Sequence, residues 1–203
     1  MYLENSHYHD WFGILFFIAL YGSILFLFPY YRKMQRKPKG AFFAFVVAFA
    51  IEMHGIPFSM FLISWLFNRE LPLGILWGHT LFPWIGYWGM YINIFLALIA
   101  VAMLINGWKQ IHRDYWRKAD GEGKLVTTGI YTYIRHPQYA ALLLLSLGMC
   151  IEWMTIPMLI MLPTMAVMYL RLAKREEEDM KHAFGMEYVE YMKRTKRFIP
   201  FVW

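Results

Sequence analysis

Cysteine is almost absent: Cys150 is the single one in 203 residues. One thiol cannot close an internal disulfide or build a cysteine metal cage, so a disulfide scaffold and a cysteine-type zinc site are excluded. Charge is sparse as well, at 17% of residues, with 14 acids against 20 Lys and Arg. A disordered chain needs more charge and far less apolar content. What fills the space is apolar. Hydrophobic residues make up 59% and aromatic ones 20%, where a soluble domain is roughly 45–50% apolar. A water-soluble core of this size cannot hide so many Phe, Trp, Met and Leu side chains. An ordinary soluble enzyme is excluded too, and an all-α integral membrane protein is implied.

A spanning helix needs about 20 mostly apolar residues. Trp11 to Tyr31 is one such run, without a charge, and Ala41 to Phe67 is a second, holding only Glu52. Leu71 to Trp108 is free of formal charge, but Pro72, Gly74, Gly78 and Pro83 interrupt its first part. That part is expected to be re-entrant or interfacial, followed by a third helix over Trp84 to Asn106. The last apolar block, Pro137 to Leu170, would make about 51 Å of helix, too long for one crossing and slightly short for two. Pro157, Pro163 and the polar break at Glu152 to Thr155 favour a hairpin of two short helices. The expected count is five spans, with residues 1–107 as the N-terminal membrane part and 108–203 as a C-terminal region of the same structural unit.

All 20 Lys and Arg residues except Arg69 fall in three segments: the loop after the first span, residues 109–135, and the tail from Arg171. Five spans with the N-terminus outside put all three on the cytoplasmic face, as positive charge requires. The basic charge is thus topology, not a nucleic-acid footprint. The N-terminus lacks a basic region and a small-residue cleavage site, so the first span reads as an uncleaved anchor. The inner (plasma) membrane of a prokaryote is the expected location.

The polar, motif-like sequence flanks the hairpin. In the first piece, Gly123 to Tyr139, Pro137 pushes His136 into an extended conformation and suits the first position of a helix. The N–H groups near Gln138 to Ala140 then face the loop and attract anionic or strongly accepting groups. Arg135 and His136 stand beside them, and Tyr131 and Tyr139 offer flat faces. A capped helix with interfacial aromatics is the plainer reading of the same residues. The second piece holds four consecutive acids, Glu176 to Asp179, expected to begin within one turn of the membrane edge, where an unpaired carboxylate is costly. The returning hairpin should bring them near Arg135 and His136. Carboxylates suit ribose hydroxyls or a cation and arginine suits a carboxylate, so a zwitterionic, nucleotide-like ligand fits.

Leu125-Val126, Gly129-Ile130-Tyr131, Arg135-His136-Pro137 and Tyr139, followed by Glu176-Glu177, Phe184-Gly185, Tyr188 and Tyr191, resemble the isoprenylcysteine carboxyl methyltransferase family. That family sits in a wider group that includes phospholipid N-methyltransferases. The resemblance covers about Trp108 to Pro200. It implies a membrane enzyme that uses S-adenosyl-L-methionine without a Rossmann domain. Its cofactor pocket would include Gly123, Lys124, Leu125, Val126, Tyr131, His136, Pro137, Gln138, Tyr139, Glu176 and Glu177. Where family members often carry a substrate-binding arginine, twelve residues before the Phe, this chain has Leu172, with Arg171 one position away; Trp116 stands where a glutamine is common.

Methyl transfer from a sulfonium is an in-line displacement, so alignment and exclusion of water should dominate. A carboxylate acceptor needs no base, whereas an amine or thiol does. The expected acceptor is lipid-like or small, foremost a carboxylate such as that of a prenylcysteine. A phospholipid amine and a small thiol stay open. Arg135 or Arg171 is the expected catalytic group that orients its anionic part. Glu52 and His54 lie mid-span, two residues apart and so on different sides of a helix. Either they make structural hydrogen bonds or they form a polar end to the acceptor pocket. A transporter or assembly factor using Glu52 and His54 is the non-enzyme alternative. Membrane lipids are expected partners; a metal is not. Arg194 to Phe198 is expected to rest on anionic headgroups.

Overall fold

Apolar runs broken at Gly and Pro become helices broken at the same places. The computed structural model describes residues 56–68, 74–76, 78–113 and 125–200, together with residue 19. The predicted first span apart from residue 19, residues 41–55 of the second, and Glu52, His54, Gly123 and Lys124 lie outside the described residues. Every regular element among those described is helical: α1 (Ile56–Phe67), α2 (Phe82–Ile85), α3 (Trp88–Ile111), a 3-10 turn (Gly129–Thr132), α4 (Pro137–Trp153), α5 (Ile156–Phe184) and α6 (Met186–Arg194). Of these, α3 and α5 are long and apolar enough to cross a membrane. The 17 residues of α4 give about 26 Å, the short end of the spanning range.

The third helix differs from the expected Trp84 to Asn106. Gly86, at φ +53°, ends the short α2, and the long helix starts only at Trp88 and runs to Ile111. The interrupted segment before it packs on the α4–α5 turn. Gly74 and Gly78 exchange backbone hydrogen bonds of 2.9 and 2.7 Å, His79 N donates to Trp153 O, Thr80 Oγ1 to Met154 O, and Ile156 N to Ile75 O. Polar backbone at a helix turn is thereby satisfied by protein, as an apolar setting demands. Gly78 is needed there, since a Cβ would sit 2.6 Å from the Trp153 ring.

The hairpin forms, but its second arm is not short. Thr155 caps α5 by accepting from Met158 N, Pro157 occupies its first turn, and Pro163 is carried inside a helix of 29 residues. At about 43 Å, α5 outruns a bilayer. Its apolar stretch ends at Leu170, and the charged remainder from Arg171 stands beyond it. Residues at four-residue spacing, Met165, Tyr169, Ala173 and Glu177, form its buried stripe.

The tightest pairing joins α3 to α4. Gly89, Asn93, Ala97, Ala100, Leu104 and Gly107 line the buried side of α3, and small residues there let the backbones close. A Cβ on Gly148 would lie 2.7 Å from Asn93 Oδ1 and 3.3 Å from its Cα. Asn93 also donates to Glu152 across the pair. The exposed large side chains, among them Trp84, Trp88, Phe95 and Leu98, suit a lipid surround with Trp near its edge.

Candidate active site

The site is built where three backbone segments meet. Pro137 is fully buried at the first position of α4. His136, just before it, takes φ −123° and ψ +65°, outside the helical region, as a residue preceding proline should. Its approach is fixed by the chain's end: Arg135 N donates to Lys196 O (2.8 Å), His136 N to Arg197 O (3.1 Å), and Lys196 N to Tyr133 O (3.1 Å). Tyr191, on α6, adds a hydrogen bond from its hydroxyl to Tyr131 O at 2.6 Å. The 3-10 turn beneath is closed by Gly129 at φ +60°, where a Cβ would overlap the Gln110 amide that accepts from Ile130 N.

Glu177 is the electrostatic centre. It is 2% exposed, and its carboxylate accepts from Arg135 Nε (2.9 Å), Arg197 Nε (3.0 Å) and Arg197 Nη2 (2.6 Å). Burial opposes its charge, but His136, Arg197 and Arg135 outweigh it and hold the carboxyl far below the usual range. Arg135 Nη1 donates to the carbonyls of Met192 and Thr195. Together these contacts fasten α5, the end of α6 and the tail to the start of α4.

Its neighbour Glu176 faces another way. Tyr139 donates its hydroxyl to Glu176 Oε1 at 2.5 Å. The rings of His136 and Tyr139 stack 5.6 Å apart, and those of Tyr139 and Tyr169 5.1 Å apart. His136 Nδ1 is 3.4 Å from Glu176 Oε2, and Nε2 is 3.4 Å from Glu177 Oε1. That Nε2 is buried and makes no hydrogen bond among the described residues. Burial pulls the imidazole down, yet the two carboxylates prevail and its pKa stands above the ordinary histidine value. The arrangement offers a partly exposed carboxylate backed by a buried stack of three rings.

The structure thus brings together Arg135, His136, Tyr139, Glu176 and Glu177. Gln138 joins Tyr131 by an amide-to-hydroxyl bond of 3.0 Å, and Leu125 and Val126 are half-buried on the approach to the turn. Arg171 stands apart: it is exposed and lies about 140° around α5 from Glu176. Sequence reasoning missed Tyr169, Thr195, Arg197 and Phe198. The tail does not rest wholly on headgroups, because Arg197 pairs with Glu177 and Phe198 is buried against His136. The signal available was the run of four acids, Glu176 to Asp179, beside the membrane edge, whose charge calls for cations beyond Arg135. Among the described residues, no three His, Cys, Asp or Glu side chains are gathered in a metal-binding group.

Comparison with known proteins bears on the same segment. The chain is 29% identical over 122 residues to protein-S-isoprenylcysteine O-methyltransferase B of Arabidopsis thaliana, covering 59% of this chain and 61% of that one. It is 27% identical over 151 residues to the Homo sapiens protein-S-isoprenylcysteine O-methyltransferase, covering 70% and 50%. It is 32% identical over 128 residues to the cobalt-zinc-cadmium resistance protein CzcN of Cupriavidus metallidurans, covering 62% and 56%. The chain thus spans between half and about three-fifths of these relatives' length. The phospholipid methyltransferase family profile matches residues 81–187, just over half of the chain, from α2 through the acids of α5 to the start of α6. This protein belongs to the phospholipid methyltransferase family.

Proposed function

We propose that the chain is an S-adenosyl-L-methionine-dependent methyltransferase working at the cytoplasmic membrane surface, with a lipid-like acceptor whose reactive group is a carboxylate such as that of a prenylcysteine. One observation carries this reading: within the family-matched segment, Tyr139, His136 and Glu176 converge as a carboxylate beside stacked rings, with a buried His136 Nε2 that lacks a hydrogen-bond partner. These residues fit the cofactor. Glu176, a quarter exposed, can accept from ribose hydroxyls or pair with an amino group, and Tyr139, buried between His136 and Tyr169, holds that carboxylate in place through its hydroxyl. Leu125, Val126, Tyr131 and Gln138, with Gly123 and Lys124, are proposed to complete the pocket.

When bound, S-adenosyl-L-methionine supplies an electrophilic methyl group on a sulfonium. The chain's own part is to align and to keep water out. The ring stack sets one wall, and the tail holds His136 in place through two backbone bonds. Arg135 acts as a positioning residue, since its guanidinium is committed to Glu177, Met192 and Thr195. Arg171, exposed at the end of the apolar stretch and turned about 140° from Glu176, is proposed to meet the acceptor's anionic part at the membrane edge, outside the Glu176 cluster. The carboxylates of Glu176 and Glu177, each 3.4 Å from His136, favour its protonated form, and a ring that already carries its proton cannot take another. An acceptor that arrives already ionised therefore suits the site better than an amine or thiol. The names of the Arabidopsis and human relatives support the same acceptor class.

The test is binding of S-adenosylhomocysteine to detergent-purified protein, followed by transfer of labelled methyl to a prenylcysteine analogue with a free carboxylate. Wild type should bind, while Glu176→Gln and His136→Ala should lose binding. Transfer to the free acid but not to its amide should follow. Well-folded wild type that binds no S-adenosylhomocysteine overturns the reading.

A further inference from the structure

The charged half of α5 has a second face. Lys174, Glu178 and Lys181 follow one another at helical spacing, and Lys174 and Glu178 each lie about 160° around the axis from Glu176. Between this face and the chain's end is a groove of about 350 Å³, lined by Lys174, Arg175, Lys181 and Arg197 with Glu177 and Glu178. Both acids are already taken: Glu177 by Arg135 and Arg197, and Glu178 by Lys181 at 2.8 Å. Lys174 and Arg175 are exposed and enter no ion pair among the described residues. The groove therefore presents uncompensated positive charge.

Its depth in the membrane is set by the helix. Lys174 and Arg175 come four and five residues after Leu170, where the apolar stretch ends. At 1.5 Å per residue that is about 6–7.5 Å beyond the hydrocarbon edge, the level of lipid phosphates. We propose that this groove binds the headgroup of an anionic phospholipid from the leaflet at which the candidate active site stands. The net charge excludes a preference for zwitterionic headgroups, whose own ammonium would meet Lys174 and Arg175. Arg197 belongs both to the groove and to the Glu177 cluster. An occupied groove would thus steady the tail that holds His136. The proposal stands on this geometry alone and does not depend on methyl transfer.

The experiment titrates dioleoyl phosphatidylglycerol or dioleoyl phosphatidylcholine into detergent-purified protein, without any methyl donor, reading the thermal midpoint and lipid retention by native mass spectrometry. Wild type should show a saturable rise with phosphatidylglycerol and none with phosphatidylcholine. A juxtamembrane cation strengthens anionic-lipid binding by about fivefold, so Lys174→Gln/Arg175→Gln should weaken it roughly 25-fold. That variant should keep its midpoint in phosphatidylcholine and its S-adenosylhomocysteine affinity. A control pair on α6, Lys193→Gln/Arg194→Gln, should retain the phosphatidylglycerol response. Equal responses to the two lipids would overturn the proposal, as would equal losses in the two double variants. A full response to millimolar inorganic phosphate would assign the groove to a soluble anion and overturn the lipid assignment.

Discussion

Glu176 and Glu177 are adjacent, yet their contacts predict opposite consequences for the same substitution. Glu177→Gln replaces a buried carboxylate that faces Arg135 Nε at 2.9 Å and Arg197 Nη2 at 2.6 Å. Removing one partner of a buried ion pair costs about 3–5 kcal/mol, because the remaining charge stays desolvated. Gln keeps one carbonyl acceptor, so the lower end, about 3 kcal/mol, is expected. For a chain of this length each kcal/mol moves the thermal midpoint by about 2–4 °C, giving a drop of roughly 6–12 °C. Glu176→Gln removes a group that is 25% exposed and accepts from Tyr139; its midpoint should stay within about 2 °C of wild type, since a surface-like acceptor is replaced by another. S-adenosylhomocysteine affinity should respond the other way, falling most in Glu176→Gln. Combining Glu177→Gln with Arg197→Gln should cost less than the sum of the two single changes, the signature of direct coupling. The assay is thermal unfolding in one detergent with ligand titration alongside. A Glu177→Gln midpoint equal to that of Glu176→Gln would refute the division of labour.

Stability should have a pH window set by the same cluster. His136 is raised from an ordinary value of 6.5, so its contribution is complete below that value and is lost as pH rises through the folded-state pKa. Glu177 is lowered from 4.5, so its contribution is complete above that value and is lost on acidification. The midpoint should peak between these limits, and His136→Asn should flatten the alkaline limb; an unchanged alkaline limb would contradict the pairing. Truncation after Thr195 removes the carbonyls that hold the Arg135 and His136 amides, along with Arg197 and Phe198. It should abolish S-adenosylhomocysteine binding. Gly148→Leu forces a side chain into Asn93 at the α3–α4 crossing; overpacking there should cost about 1–3 kcal/mol, read as a lower midpoint.

The helix α3 was legible from composition because a helix in lipid announces itself by about twenty residues without charge. The hairpin turn was legible at Thr155 and Pro157, residues suited to the cap and first turn of a helix. The third helix starts at Trp88, four residues beyond the expected Trp84, because Gly86, not Pro83, ends the turn before it. The site was partly legible: Arg135, His136, Tyr139, Glu176 and Glu177 were named, and the structure gathers them. The geometry does not support one role for both arginines, since Arg135 is tied into the protein and Arg171 faces out.

Sequence alone determined the helical class and the apolar lengths, since each depends on residues close together in the chain, and the family, whose motif is a set of residue types at fixed spacing. Tertiary structure decided which of two neighbouring acids is buried, that Arg197 joins Glu177 from 20 residues away, and that Tyr169 completes the ring stack. One residue along a helix turns the side chain by about 100°. What that side chain then meets depends on which element packs there, and local sequence does not carry that information.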